Sequence, residues 1–183
     1  MAAGFPEEAR VRATRVRLIG FDVDGVLTDG SLYYTDQGVE IKAFNTLDGH
    51  GLKMLQRAGI AVAIITGRRS RCVELRARNL AIDHLFQGVD DKLEVMTALA
   101  CDLGLGLADS GYMGDDVVDL PVMTACAFSA APRDAHRLVR EHARFTSTCA
   151  GGRGAVREVC ELILDAQGRL SEALAAYLPG ERR

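Results

Sequence analysis

VRLIGFDVDGVLTDG, residues 16–30, is the stretch of this sequence that decides the fold. Its first half, Val16–Val23, is apolar and rich in residues that favour strands, and a glycine follows at once, which is typical of a short buried strand ending in a turn. Asp22 and Asp24 stand where the strand gives way to the turn, so both carboxylates can reach one cleft. Two acids at this spacing are, taken alone, equally typical of a capped turn with solvated side chains.

Further apolar runs at Ile60–Ile65, Ser110–Met113 and Ala125–Phe128 predict more strands. Alternation of short strands with helices predicts an α/β fold with a three-layer, Rossmann-like parallel sheet. Right-handed crossovers then place the carboxyl ends of the strands along one edge, where ligands bind. Helical spacing between these runs is shown by Leu52, Leu55 and Ala58, and by Leu93, Met96, Leu99 and Leu103.

The segment Ser31–Phe44 interrupts the alternation. Its strand-favouring flanks surround a turn at Thr35–Gly38, in which Gly38 supplies a positive φ, so a β-hairpin is predicted. This hairpin flap, at about residues 29–44, follows the first strand and is expected to project over the active edge.

The rest of the chain leaves no room for a cap domain, so we expect a single domain over residues 1–183. A last helix is predicted from about Ala155 to Ala166, followed by a looser tail at about residues 170–183.

Composition excludes several classes of protein. The chain has 183 residues, is 48% hydrophobic and carries a net charge of −3, which suits a globular domain and argues against a nucleic-acid binder. The N-terminus lacks the apolar core of a secretory signal, and no apolar run approaches the ~20 residues of a membrane helix. The cysteines are odd in number and form no CxxC pair, so we expect no disulfide framework and a reducing cytoplasm. They are Cys72, Cys101, Cys126, Cys149 and Cys160.

Three later motifs place polar groups at the same sheet edge. Thr66 ends the second strand, Lys92 opens a helix after an acidic turn, and Met113–Asp119 contains a strand end, a glycine and three acids. Each has an ordinary alternative: a threonine cap, a solvated lysine, and an acidic helix N-terminus favoured by the helix dipole.

Taken in order, these motifs resemble the series of the haloacid dehalogenase-like phosphatases. The resemblance implies that Asp22 is the nucleophile, forming an aspartyl phosphate, and that Asp24 protonates the leaving oxygen and then activates water. It also implies a Mg²⁺ ion, which prefers oxygen ligands, held by the side chains of Asp22 and Asp115 and the backbone carbonyl of Asp24.

The same resemblance assigns the supporting residues. Thr66 would hydrogen-bond the transferring phosphoryl group, and Lys92 would neutralise its charge. Asp116 and Asp119 would position Lys92 and the water molecules around the metal.

Within that superfamily the chain resembles the 3-deoxy-D-manno-octulosonate 8-phosphate phosphatases. The resemblance is carried by DVDGVLTDG (22–30), FNTLDGHGLKML (44–55), ITGR (65–68) and AGGRGAVREVCELILDAQGRL (150–170). It implies a capless enzyme of lipopolysaccharide precursor synthesis, which releases phosphate from a small sugar-acid phosphate. It further implies a homotetramer assembled by the hairpins, in which a mobile C-terminal segment brings Arg153 or Arg157 to a neighbouring site. Gly151–Gly154 is equally readable as a flexible connector.

A substrate with a carboxylate and a phosphate calls for cations and backbone donors. Arg68 and Arg76 match the family's positions, and arginine suits bidentate binding of both groups, although other arginines lie beside them. Lys53 stands where relatives carry arginine or lysine, and His50 is a weaker pocket candidate. The other implied substrate-binding residues are Asp24, Lys92, Asn45, Thr46, Leu47, Asp48 and Gly49.

Three other interpretations stay open from the sequence. A sister phosphatase acting on a nine-carbon 2-keto-3-deoxy sugar acid 9-phosphate would share the chemistry and differ in the pocket. A receiver module also carries acids, a threonine and a lysine on a parallel sheet, but has no use for an acid at Asp24 or for the later GDDxxD motif. A catalytically silent tetrameric scaffold would not need the full motif set.

Overall fold

The structure is a computed structural model that describes residues 5–178. Six parallel strands form one sheet in the order β5-β4-β1-β6-β7-β8, and two short antiparallel strands form a separate hairpin. The strands are β1 Leu18–Phe21, β2 Tyr33–Tyr34, β3 Glu40–Ile41, β4 Ala61–Thr66, β5 His84–Gln87, β6 Ser110–Met113, β7 Phe128–Ala131 and β8 Phe145–Thr146.

Helices connect the strands and cover both faces of the sheet. Several start at residues whose side chains accept a backbone N–H, such as Asn45 before α2 and Asp91 before α4, which satisfies donors that a helix leaves unpaired at its N-terminus. The α-helices are α1 Glu7–Ala13, α2 Thr46–Arg57, α3 Arg71–Leu80, α4 Lys92–Asp102, α5 Leu120–Ala125, α6 Arg137–His142, α7 Ala155–Ala166 and α8 Leu170–Ala175. Short 3₁₀ turns occupy Leu107–Asp109 and Val117–Asp119.

The core consists of two apolar layers, one on each face of the sheet. Alternate residues of β1 point to opposite layers: Ile19 packs with the helices α2 and α7, whereas Leu18 packs with α4 and α5. Gly20 leaves room for the buried Tyr112 ring, because a Cβ at this position would lie 2.7 Å from a ring carbon. The three-layer parallel α/β fold expected from the sequence is therefore confirmed.

The hairpin insertion is confirmed as well. Strands β2 and β3 pair through Tyr33 with Ile41 and Tyr34 with Glu40, and Gly38 has a φ of 77°. This flap leaves the domain directly after the glycine turn of β1 and returns to α2.

Two expectations need correction. The strand predicted at Ala125–Phe128 is wrong in its bounds, because α5 extends to Ala125 and β7 begins only at Phe128. The tail is not loose at its start: Leu170–Ala175 is helical, and apolar side chains of this helix pack on the core. Residues 179–183 of the predicted tail lie outside the described residues.

The cysteines and the helices bear on two further expectations. All five cysteines carry free thiols. None of the helices between residues 5 and 178 combines the length and the apolar character that a membrane crossing requires.

Candidate active site

A cavity of about 470 Å³ opens at the carboxyl ends of β1, β4 and β6. These three strands are neighbours in the sheet, with β1 in the middle, so residues that follow each of them meet at one place. The cavity lining brings together all the residues that the motif series assigned to catalysis and metal binding except the buried Asp119. They are Asp22, Asp24, Thr66, Lys92, Asp115 and Asp116, accompanied by Arg68.

Lys92 links two of the acids beneath the cavity. Its ammonium lies 3.0 Å from Oδ2 of Asp22 and 2.6 Å from Oδ1 of Asp119, and the three side chains are between 0% and 11% exposed. Burial opposes the charge on Lys92, but the two carboxylates hold its pKa above the ordinary value. The lysine is therefore charged, and its ammonium is held at a position where it can bind an anion.

Asp119 organises the loop that follows β6. Its Oδ2 accepts hydrogen bonds from the backbone N–H groups of Asp115, at 3.1 Å, and Asp116, at 3.3 Å. Gly114 permits this close approach, since a Cβ there would lie 2.4 Å from the Cβ of Asp119. Asp116 has an exposed side chain that caps the next turn by accepting from the N–H of Val117. Asp119 thus holds both Lys92 and the Asp115 backbone, as a positioning group is expected to do.

The acids fit a divalent cation. Carboxylate oxygens of Asp22, Asp115 and Asp119 lie within 4.8 Å of one another. Among the residues that the structure describes, Oδ1 of Asp22 and Oδ1 of Asp115 are buried without a hydrogen-bond partner. Since Asp119 already serves Lys92 and two amides, the free donor atoms belong to Asp22 and Asp115. A hard cation such as Mg²⁺ takes oxygen ligands of this kind.

The raised pKa values of two of these acids also support a cation site. Burial and the neighbouring Asp119 raise the pKa of Asp22 to about 6. Burial and the neighbouring Asp22 raise the pKa of Asp115 to about 8. Like charges in a partly buried space disfavour ionisation, and a bound cation would reverse that cost. The donor set therefore fits the metal that the sequence implied.

Gly25 brings the turn after β1 against the same cluster. It has a φ of 85°, and a Cβ at this position would lie 2.0 Å from Oδ2 of Asp115. Only glycine accommodates both the left-handed backbone and the contact with Asp115.

Asp24 faces the hairpin. Its carboxylate forms an ion pair with the ammonium of Lys42, whose side chain is only 1% exposed, and a longer one of 3.5 Å with Nε of Arg68. Lys42 is not among the residues that the sequence motifs predicted for the site. Its position two residues beyond Glu40 on the second arm of the hairpin, where alternate residues share a face, is the signal that could have identified it.

Glu40 joins the hairpin to the loop after β4. Its carboxylate accepts a hydrogen bond from the hydroxyl of Ser70 and lies 3.3 Å from the guanidinium of Arg68. The Ser70 bond is the main reason that the pKa of Glu40 lies below its ordinary value. Arg68 also donates to the hydroxyl of Tyr34 at 2.7 Å. The flap is thus tied down over the cavity through charged and polar contacts.

The substrate loop implied at Asn45–Gly49 is not a loop, because Thr46–Gly49 forms the first turn of α2 and Asn45 caps it. In the described part of the chain this segment lies apart from the cavity. Asn45 and Thr46 line a separate cavity of about 290 Å³ with Gly152. Asp48 is 1% exposed and caps α7, accepting from the N–H groups of Gly154 at 3.2 Å and Arg157 at 2.8 Å. Within the single chain Asp48 therefore has a structural role, and the substrate roles of this segment stay predictions.

The remaining substrate candidates have structural neighbours too. Arg76 donates to the carbonyl of Asn45 at 2.9 Å, and its guanidinium packs so closely that a Cβ at Gly49 would lie 2.2 Å from it. Leu47 is 59% exposed, and Lys53 is half-buried on α2. His50 packs against the Tyr177 ring, outside the catalytic cavity.

Gly151–Gly154 does not form a flexible connector in this structure. The N–H of Gly152 donates to the carbonyl of Val26 at 2.9 Å, and a Cβ on Gly151 would lie 1.8 Å from the carbonyl oxygen of Gly25. The segment thus packs directly on the turn that carries Asp24. Its arginines pair within the chain, Arg153 with Asp29 at 3.0 Å and Arg157 with Glu161 at 2.7 Å.

The parallel sheet, with a nucleophile candidate, a lysine and an acidic cluster on neighbouring strand ends, defines a haloacid dehalogenase-like phosphatase. No protein-family model matches the chain. The sequence is 48% identical to the 3-deoxy-D-manno-octulosonate 8-phosphate phosphatase KdsC of Yersinia pestis, over 88% of this chain and 87% of the relative.

Comparison with solved structures gives the same result as comparison of the sequences. A probable YrbI-family phosphatase from Pseudomonas syringae superposes with a TM-score of 0.93 and 50% identity, covering 96% of this chain and 99% of its own. The 3-deoxy-D-manno-octulosonate 8-phosphate phosphatase of Moraxella catarrhalis, in complex with magnesium ion, phosphate ion and KDO, has a TM-score of 0.91 and 42% identity, with coverage of 93% and 98%. The chain belongs to the 3-deoxy-D-manno-octulosonate 8-phosphate phosphatase family.

Proposed function

We propose that the protein hydrolyses 3-deoxy-D-manno-octulosonate 8-phosphate to 3-deoxy-D-manno-octulosonate and phosphate, through an aspartyl phosphate on Asp22. The observation that carries this proposal is the buried Oδ1 of Asp22, which has no hydrogen-bond partner among residues 5–178 and lies beside a charged lysine and a similarly unpartnered carboxylate oxygen on Asp115. Family membership supports the choice of substrate and a role in lipopolysaccharide precursor synthesis.

The first step transfers the phosphoryl group to Asp22. Its carboxylate attacks phosphorus, and the bond from phosphorus to the sugar oxygen breaks. Asp24 gives a proton to that oxygen, so the sugar acid leaves as an alcohol. Lys92 neutralises charge on the phosphoryl oxygens, and the hydroxyl of Thr66, at the end of β4, donates to one of them.

The second step restores the enzyme. Asp24, now a carboxylate, takes a proton from a water molecule, whose oxygen attacks phosphorus and releases Asp22 and inorganic phosphate. The side chains of Asp22 and Asp115 and the backbone carbonyl of Asp24 would hold Mg²⁺, which would supply positive charge that offsets the repulsion between carboxylate and phosphate. Asp119 accepts the backbone N–H of Asp115, and Asp116 accepts that of Val117, so both side chains hold the loop after β6 in place.

Substrate recognition involves cations and the N-terminal end of α2. Arg68 lines the cavity and is 45% exposed along its side chain, so it can turn to the carboxylate or a hydroxyl of the sugar acid. Arg76, Lys53 and the segment Asn45–Gly49 lie outside the catalytic cavity of one chain, and we assign them to substrate binding only through the family.

We further propose a homotetramer in the cytoplasm. The hairpin exposes apolar and aromatic side chains that a partner chain would cover, and the free thiols suit a reducing compartment. Arg153 or Arg157 of one subunit would then approach the site of another. Light scattering after size exclusion tests the assembly. The exposed hairpin residues are Leu32, Tyr33, Tyr34, Val39 and Ile41.

A phosphate-release assay on a panel of sugar-acid phosphates tests the function. With Mg²⁺, we expect the highest kcat/KM for the eight-carbon 8-phosphate. Preference for the nine-carbon 9-phosphate would assign the sister activity. Absence of turnover on every monoester, with a stable phospho-enzyme, would favour the receiver interpretation.

A further inference from the structure

Lys42 occupies an unusual place for a lysine. Its side chain is 1% exposed, and its ammonium contacts the carboxylates of Asp24 and, at 3.5 Å, Glu40. A buried ammonium is costly unless it is paired, so these contacts hold the side chain in one orientation. Lys42 comes from the hairpin, whereas Asp24 belongs to the turn after β1.

Glu40 anchors Lys42 on the far side. Its carboxylate is bound by the hydroxyl of Ser70 and by Arg68, both on the loop after β4. The lysine is therefore fixed from behind by a residue that is itself tied to the sheet. A side chain supported in this way can orient its neighbour with little freedom of its own.

Asp24 has few other partners. Among residues 5–178, its carboxylate is paired only with Lys42 and Arg68. Arg68 is the weaker partner: its contact is longer, its side chain is 45% exposed, and it is shared with Tyr34 and Glu40. When Arg68 turns towards a substrate, Lys42 is the group that continues to hold Asp24.

We propose that Lys42 is a positioning residue, which holds the Asp24 side chain where its carboxyl group, once protonated, can deliver a proton to the leaving oxygen. This inference rests on the proposed phosphatase mechanism. Proton transfer requires the acid within hydrogen-bond reach of the oxygen it protonates, and a small misplacement lowers the rate steeply. The hairpin would then contribute to chemistry in its own chain, besides any part in assembly.

Two aryl phosphates separate this role from general support of the fold. Phenyl phosphate has a poor leaving group and depends on protonation, whereas the leaving group of para-nitrophenyl phosphate departs with little help. Because kcat/KM reports the first phosphoryl transfer, we expect Lys42→Met to lower it about 100-fold for phenyl phosphate, the scale of losing a general acid. The loss for para-nitrophenyl phosphate should be less than about 5-fold, and Lys42→Arg should recover part of the difference.

Thr35→Ala is the matched control in the hairpin. The Thr35 hydroxyl accepts the N–H of Val39 in the turn and does not contact Asp24, so this variant weakens the hairpin without touching the ion pair. It should lower both aryl activities equally or leave both unchanged. Should Lys42→Met fail to fold, as thermal melting would show, Lys42→Gln replaces it.

Equal losses on the two substrates for the Lys42 variants would overturn the inference, even with the phosphatase activity intact. A wild-type protein that binds Mg²⁺ and hydrolyses neither aryl phosphate nor any sugar-acid phosphate would instead remove the proposed function, and the inference with it.

Discussion

The ammonium of Lys92 lies 3.0 Å from Oδ2 of Asp22, and both side chains are almost completely buried. This ion pair leaves Oδ1 of Asp22 without a hydrogen-bond partner within residues 5–178. The lysine thus orients one oxygen of the carboxylate while the other stays available to a metal or to phosphorus.

Asp22→Asn should abolish turnover while the fold persists. The amide has nearly the shape of the carboxylate but is not a nucleophile, so we expect kcat to fall by about 10⁴-fold or more. Phosphate release and circular dichroism, measured on the same preparation, check both halves. Near-normal turnover would contradict a covalent intermediate on this residue.

Lys92→Met should destabilise the protein as well as inactivate it. Removing the ammonium leaves Asp119, whose side chain is 0% exposed, with an uncompensated charge, which costs about 3–5 kcal/mol of unfolding free energy. Urea unfolding measures the loss. The double variant Lys92→Met/Asp119→Asn should recover part of it, and no recovery would mean that the pair contributes little.

Metal removal should stop catalysis and lower thermal stability. EDTA is expected to abolish turnover. Mg²⁺ at about 100 times its Kd should add about 2.7 kcal/mol, or roughly 5–10 °C in Tm. Asp115→Asn should lose activity and respond little to Mg²⁺. Full activity in EDTA, or an unchanged Mg²⁺ response in this variant, would contradict the assigned site.

The metal-free protein should lose stability as pH rises from about 4 to about 8. The pKa of Asp115 is about 8 when folded, against an ordinary value of 3.8, so folding takes up a proton in this range. A group that binds protons more tightly in the folded state destabilises it as it ionises. Unfolding in EDTA at several pH values should show a steeper fall for the wild type than for Asp115→Asn. Parallel slopes would exclude this linkage.

Gly152→Ala should disturb both stability and catalysis. The position has a φ of 61°, and a Cβ would lie 2.6 Å from the carbonyl carbon of Thr28, in the turn beside Asp24. Gly168 is the matched control, because its φ is 68° but no atom of residues 5–178 lies within 4 Å of a Cβ there. We expect about 1 kcal/mol for Gly168→Ala and a larger loss, with reduced kcat, for Gly152→Ala. Equal effects would mean that the packing does not matter.

The candidate catalytic cluster was the most predictable part of the molecule. Asp22, Thr66 and Asp115 each follow an apolar run, and parallel strands deliver such residues to one edge whatever the details of the connections. The order of the motifs along the chain was therefore enough to predict that these residues lie close together. Helix α7 was equally predictable from the sequence, because its apolar stripe begins directly after a glycine-rich segment.

The misplaced strand has a simple cause. Residues from Leu120 to Ala131 are almost continuously apolar, so the pattern cannot show where helix α5 ends and β7 begins. Contacts between residues far apart in the sequence could not be predicted either. Asp48 reads as a loop acid, and only the folded chain shows that it caps a helix starting at Ala155. Lys42 gained its meaning only when the hairpin folded back onto Asp24.

The position of β1 has a mechanical consequence. With two parallel strands on one side and three on the other, β1 shares the centre of the sheet with β6, and its neighbours β4 and β6 carry the other parts of the site. Edge strands such as β8 can fray and re-form without loosening β1, because local openings need not spread to the centre. The proposed reacting groups therefore follow strands that are expected to open last, and the hairpin that leaves the end of β1 is held beside them by the contacts of Lys42 and Glu40.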